Sequence, residues 1–243
     1  MGRKTTFACT TNCWTGRRKR FDSSGVRASK NSCRGDARMN IAIIGSGHIG
    51  GTLGKAWAAK GHPVTFGSRD PQSERMRELL ESIGPNAATA SVKEAVAISE
   101  VVVLAVPGTE IERVLEEAGD LRRKIVVNAT ILFDGRSADE EVRRLANGAR
   151  VVRAFHTSTW EALANPRFGV ANATLFMSSD NEEAKQTVLL LGAEAGFDMV
   201  DTGGAEAMAE IEKALFSFWT VLSPRFGRDY AIRVLRREEA QPS

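Results

Sequence analysis

The chain has 243 residues, 42% hydrophobic and 26% charged, with a formal net charge of +3. This is a soluble globular composition, enough for one large or two modest domains, and the lack of any apolar run near roughly 18 residues excludes a transmembrane helix. The charge is unevenly divided: residues 1–38 hold ten Lys or Arg against Asp22 and Asp36, while residues 39–243 hold 23 basic against 28 acidic residues, so the body is mildly acidic and gives no argument for nucleic-acid binding.

Residues 1–38 show no hydrophobic period and too few aliphatic residues to offset the cost of ordering a backbone. They also lack the apolar core of a secretory signal. Three readings stand open: a translation start placed too far upstream with Met39 as the true start, a disordered basic tail, or an organelle transit peptide. Cys9, Cys13 and Cys33 all lie here without a fourth ligand at zinc spacing, so no metal site is expected. A cysteine-free body fits a reducing compartment, and a cytoplasmic location is expected.

Residues 39–70 carry the strongest signal. An apolar run at 41–44 ends in Gly45, Gly47 and Gly50 at the spacing G-x-G-x-x-G, and a helix follows from near His48. In a strand–turn–helix of this kind the first glycine makes the tight turn, the second lets a pyrophosphate touch backbone, and the third lets the helix pack on the strand. The helix start then offers its free N–H groups and positive dipole end to the phosphates. A second strand is predicted at 64–67. An NAD site would place an acid at its end to hold the ribose hydroxyl. Gly67-Ser68-Arg69 stands there instead, which suits a 2′-phosphate and favours NADP. In the other reading Arg69 is a solvated residue and Asp70 serves the ribose.

Pro71 is predicted to open a helix running to about residue 83 and ending at Gly84. Ser91-x-x-Glu94 reads as a capping box before a short helix at 95–98. The continuous apolar run 101–106 reads as a central parallel strand, 109–121 as a helix with Ile111, Val114, Leu115 and Ala118 on one face, and 125–127 as the next strand. Alternation at this rate gives an α/β doubly wound parallel sheet whose ligands bind outside the carboxyl ends of the strands. The Gly45 turn, Ser68-Arg69, Val106-Pro107 and Asn128-Ala129 should therefore line one crevice. Further on, a strand at 151–155 leads into His156-Thr157-Ser158-Thr159-Trp160 and a loop with Asn165-Pro166. A strand at 173–177, a helix at 182–195 and a short strand at 199–200 follow. The final helix, 205–222, places Met208, Ile211, Leu215, Phe218, Trp219 and Leu222 at spacings of three and four, the mark of core or subunit interface. His156 could move a proton near neutral pH, or could fix a loop by hydrogen bonds. His48 reads as a loop position with a phosphate-facing ring, and His62, before Pro63, as an unremarkable turn residue.

From Met39 to about Arg237 the chain resembles the NADPH-dependent F420 reductases, also called F420-dependent NADP oxidoreductases. The resemblance rests on NIAIIGSGHIGGTLG, GHPVTFGSRDP, VVRAFHTSTWEALANP, GFDMVDTGG and FWTVLSPRFGRDYAIRVLRR. It implies a Rossmann domain at 39–153 with a small C-terminal α+β domain at 154–243, and hydride exchange between NADP and the deazaflavin F420. Carried over by position, Ser46, His48 and Ile49 sit at the pyrophosphate, Ser68 and Arg69 at the 2′-phosphate, and Val106-Pro107 near the nicotinamide. The chain departs from the family where an Asn usually follows Ala-Phe, because His156 stands there.

The function expected is hydride transfer between NADP(H) and F420 or a flavin-like acceptor, a reaction that asks for alignment and dryness more than for an acid or base. Two alternatives stand beside it: reduction of a small imine or keto acid, and a non-catalytic NADP-binding sensor. The partners expected are a small-molecule hydride acceptor and a second copy of the chain through the apolar stripe of the last helix, with no nucleic acid and no membrane.

Overall fold

A computed structural model describes residues 38–131 and 137–237, and the described residues belong to one compact unit. Its centre is a six-stranded parallel sheet in the order β3-β2-β1-β4-β5-β6. The strands are β1 (Ile41–Ile44), β2 (Val64–Gly67), β3 (Ala87–Ala90), β4 (Val101–Leu104), β5 (Ile125–Asn128) and β6 (Arg150–Arg153). Every described parallel connection crosses through a helix: α1 (His48–Ala59), α2 (Glu74–Ile83), α3 (Val92–Ile98), α4 (Ile111–Ala118) and α5 (Ala138–Leu145). The doubly wound α/β architecture is therefore present, with its order reversing between β1 and β4.

Successive side chains of a strand point to opposite faces, and here both faces are sealed. Ile41, Ile43, Val101, Val103 and Val127 enter one apolar cluster with Trp57 and Phe66. Ala42, Ile44, Val102, Leu104 and Val126 enter another with Val96, Val114 and Val142. Trp57 is fully buried, and its indole Nε1 donates to the Leu191 carbonyl at 2.9 Å. Truncating it to alanine would cost about 3–5 kcal/mol.

The chain then folds back as α6 (Trp160–Ala164), β7 (Arg167–Phe168), β8 (Ala171–Asn172), β9 (Thr174–Met177), α7 (Glu182–Glu194), β10 (Asp198–Asp201) and α8 (Ala205–Phe226). β9 and β10 pair in parallel, and a bridge between Arg153 and Ser178 joins this layer to the sheet edge. Leu175, Met177, Val188 and Leu191 belong to the same cluster as Ile41 and Trp57. His62 is buried and ties the start of the central sheet to this layer: its Nδ1 accepts from the Met39 N–H, just before β1, at 3.0 Å and its Nε2 lies 2.8 Å from Glu194 Oε2 of α7. It is thus a tie, not an ordinary turn residue.

Several expected boundaries move. Pro71 lies in a turn outside the helix; Ser73 is the N-cap of α2, because Asp70 and Ser73 close a tight turn first. The Ser91–Glu94 capping box forms with both of its bonds. The expected helix at 109–121 opens with a 3-10 turn at Gly108–Glu110 and ends at Gly119, whose φ is 77°. β6 stops at Arg153 instead of Phe155, since Phe155 turns the chain with φ of 64°. The stretch after Trp160, expected as a loop with Asn165-Pro166, begins as a helix that ends at Ala164 and is capped by Thr159, whose hydroxyl accepts from the Ala162 N–H.

Candidate functional site

The glycine turn is interlocked with its surroundings. Gly45 has φ of 115°, and a Cβ there would stand 2.3 Å from the Ala105 carbonyl oxygen at the end of β4. A Cβ on Gly50 would stand 1.9 Å from the Gly45 carbonyl oxygen. Gly47 differs, because no protein atom lies within 4 Å of a Cβ placed on it. Gly47 is also the N-cap of α1, with no side-chain cap and no acidic residue in the first turn. The first-turn amides therefore have no capping side chain of their own, the arrangement that receives a phosphate. These residues fit a dinucleotide pyrophosphate: two glycines shape the turn and the third leaves a cradle that a Cβ would fill.

Beyond β2, Ser68 and Arg69 follow directly, with Arg69 exposed. Asp70 is engaged in its own turn: its carboxylate accepts from the Gln72 N–H at 3.3 Å and its carbonyl accepts from the Ser73 hydroxyl at 2.9 Å. Glu110 is held below the usual carboxylate range mainly by its hydrogen bond from Arg113, and the Arg69 charge adds to this, so Arg69 lies towards the loop after β4. Arg75 of α2 donates to the Ser46 carbonyl at 3.4 Å. It adds a second cation beside the turn that the sequence pattern did not single out.

A cleft of about 550 Å³ opens next to the turn. Six expected residues line it: Gly47, His48, Ile49, Val106, Pro107 and Ala129. The opposite wall comes from Ser158, Thr159 and Trp160 before and within α6, Trp219 and Ser223 of α8, and Arg228. The His48 ring stacks on Trp160 with centroids 4.4 Å apart and planes 21° from parallel. The wall is braced: the Thr159 hydroxyl donates to the Arg228 carbonyl at 2.8 Å, and the Arg228 Nε donates to Glu161 at 2.9 Å. His48 and Arg228 are the ionisable side chains of this lining.

Two expected residues are buried away from the cleft lining. Asn128 is fully buried; its Nδ2 donates to the Ala138 carbonyl at 3.1 Å, and its Oδ1 accepts from the Thr130 N–H and hydroxyl. It shapes the end of β5 while Ala129 beside it reaches the cleft. His156 is 3% exposed and absent from the cleft lining. Its Nε2 lies 2.7 Å from Glu212 of α8, and the buried Arg153 donates to the same carboxylate oxygen at 2.9 Å. Arg153 also donates to the carbonyls of Asn128 and Thr130. Burial, reinforced by the Arg153 charge, pushes His156 below its ordinary pKa against the pull of Glu212. Burial by itself would raise Glu212, but the His156 and Arg153 contacts bring it down to about 2. Sealed in this network and away from the cleft lining, His156 is placed as the hydrogen-bonding reading expects, between β6 and α8.

The family model described as NADP oxidoreductase, coenzyme F420-dependent, matches residues 40–131. Among solved structures, a proposed F420-dependent NADP reductase from Arthrobacter sp. FB24 is 26% identical, with a TM-score of 0.72 over 82% of this chain and 100% of its own. A hypothetical protein from Sinorhizobium meliloti is 30% identical, with a TM-score of 0.67 over 84% of this chain and 98% of its own. An imine reductase from Myxococcus stipitatus, solved as a variant with NAD+, shares the fold at 21% identity and a TM-score of 0.61, over 77% of this chain and 63% of its own. The glycine turn, the sheet order and the family match agree: residues 40–131 are the domain that the coenzyme F420-dependent NADP oxidoreductase model describes, and the chain is an NADP-dependent oxidoreductase built on a Rossmann-type sheet.

Proposed function

We propose that the protein passes hydride between NADP(H) and a planar acceptor of the deazaflavin or flavin type. The observation that carries this reading is the cleft: it adjoins the Gly45–Gly50 turn and is walled by two indoles, Trp160 and Trp219. Aromatic walls stack on planar rings. Gly47, His48 and Ile49 would hold the pyrophosphate, Ser68, Arg69 and Arg75 the 2′-phosphate, and Val106 and Pro107 the nicotinamide side of the cleft. The nicotinamide supplies the hydride when bound. The chain's own part is to align the two rings and exclude water, which matches a lining with few ionisable groups.

The test is NADPH oxidation by the purified chain with F420, FMN, FAD, a cyclic imine and no acceptor in parallel. Turnover with F420 or a flavin supports the reading. Turnover with the imine alone would replace it with imine reduction, and tight NADPH binding without any turnover would replace it with a sensor.

A further inference from the structure

The wall of the cleft opposite the glycine turn carries the cation Arg228. This residue begins a closing strap, residues 228–237, that turns off α8 at Gly227 with φ of 70°. The strap is sewn to the body at several points. The Arg228 carbonyl accepts from the Thr159 hydroxyl at 2.8 Å, the Tyr230 and Ser223 hydroxyls share a hydrogen bond of 3.1 Å, and the Ile232 carbonyl accepts from the Thr174 N–H at 2.9 Å. The guanidinium is set as well, since its Nε donates to Glu161 Oε1 of α6 at 2.9 Å. A guanidinium offers N–H donors on every nitrogen in a fixed fork, and those on the two terminal nitrogens have no partner among the described residues. The Ser158 hydroxyl, on the same wall, has none among them either. Glu161 balances the charge from behind, but no acidic side chain lines the cleft itself. The wall thus offers two kinds of contact: the indoles of Trp160 and Trp219 for a ring, and oriented donors for an oxyanion.

We propose that Arg228, helped by Ser158, selects the acceptor by binding a phosphate carried on the acceptor's side arm. The inference rests on the reading of this cleft as the acceptor site. The paired N–H groups of an arginine match a phosphate, and the flexible arm of a flavin mononucleotide ends in one. Pinning of the strap before any ligand arrives spares the cost of ordering the fork on binding. The phosphate lies away from the reacting ring atoms, so it holds substrate and transition state alike and acts on KM rather than on kcat. With the Arg228 side chain 62% exposed, solvent screening limits the gain to roughly tenfold.

The test is NADPH oxidation by the full chain with two matched pairs, FMN against riboflavin and F420 against its phosphate-free deazariboflavin fragment, at low and high salt. In a pair that turns over, the phosphate-bearing member is expected to show a KM roughly tenfold lower at similar kcat, and the advantage shrinks as salt rises. Arg228→Gln, which can still donate to Glu161, brings the two KM values together, and Arg228→Lys keeps part of the difference. Three results would each overturn the proposal: equal KM values within the wild-type pair, a KM ratio unmoved by Arg228→Gln, or a loss of NADPH affinity in that variant as large as its loss for the phosphate-bearing acceptor. Failure of every planar acceptor to turn over would instead remove the reading beneath it. Equilibrium dialysis of FMN and riboflavin then decides the phosphate site directly. Tighter FMN binding that depends on Arg228 upholds it, and equal binding or none overturns it.

Discussion

Alanine at Gly47 and at Gly50 separates what the turn needs in order to fold from what it keeps clear for the cofactor. At Gly50 the added Cβ meets backbone oxygen at 1.9 Å, whereas ordinary contact begins near 3.4 Å, so α1 must retreat by about 1.5 Å from the turn. Neither partner is a side chain that can rotate away. Overpacking of this kind costs about 1–3 kcal/mol, and in a body of this size each kcal/mol lowers the melting temperature by roughly 2–4 °C. At Gly47 the Cβ meets nothing and φ is −75°, so Gly47→Ala costs the free protein only a modest N-cap preference, under about 1 kcal/mol. The same methyl fills the cradle at the helix start. The expectation is that Gly50→Ala melts several degrees lower and binds NADPH poorly, while Gly47→Ala melts near wild type and still loses at least roughly tenfold in NADPH affinity, about 1.4 kcal/mol. Thermal melts with and without NADPH and a calorimetric titration read both quantities. Wild-type NADPH affinity in Gly47→Ala would refute the assignment of the pyrophosphate to this turn.

Arg69→Glu should weaken NADPH by roughly 10- to 150-fold while changing NADH much less; equal losses for both cofactors would remove Arg69 from the 2′-phosphate. Trp160→Ala should raise KM for the acceptor while leaving the NADPH affinity within a few-fold, and an unchanged acceptor KM would take α6 out of the site. Because the folded-state pKa of His156 lies below its unfolded value near 6.5, the unfolded chain takes up the extra proton as the pH falls below about 6.5, and stability should drop with a slope of at most about 1.4 kcal/mol per pH unit. Glu212, lowered to about 2, contributes stability above its unfolded pKa that is lost as the pH falls from about 4.5 towards 2. Denaturant titrations across pH should therefore show His156→Asn flattening the upper leg, and an unaltered profile would mean that His156 is not held neutral. Glu212→Gln should cost about 3–5 kcal/mol, since it leaves the buried Arg153 without its counter-charge, as a urea midpoint will show.

The first half of the fold was readable because its signals are local. Ile41–Ile44, the glycines and the capping box at Ser91–Glu94 each act within a few residues, and alternating buried strands and helices leave few topologies. Ala87–Ala90 was not readable, since four small residues at a half-exposed sheet edge have no apolar period. The wall of the cleft formed by Gly47, His48, Ile49, Val106, Pro107 and Ala129 was legible for the same local reason. The opposite wall was not, because Trp160, Trp219 and Arg228 meet across some 60 residues of sequence and nothing in their spacing announces it. His156 shows the same limit: the sequence displays a titratable ring, and only the fold reveals burial against Glu212. The stripe on α8 was read as a single face, although it splits into a buried edge at Met208 and Leu215 and an exposed flank at Phe218. Spacing of three and four cannot distinguish two adjacent apolar faces on one helix.

The stacked His48 and Trp160 rings give the molecule an optical reporter. Trp160 and Trp219 border the cleft, while Trp57 is sealed in the core against Leu191 and Phe155. A ligand entering the cleft must alter the surroundings of the first two indoles and leave the third untouched. Tryptophan emission overlaps the absorption of a reduced nicotinamide, so cofactor arrival should register as energy transfer. Separation of His48 from Trp160 would add a distinct change of its own, allowing the two halves of the site to be followed in one titration without a label.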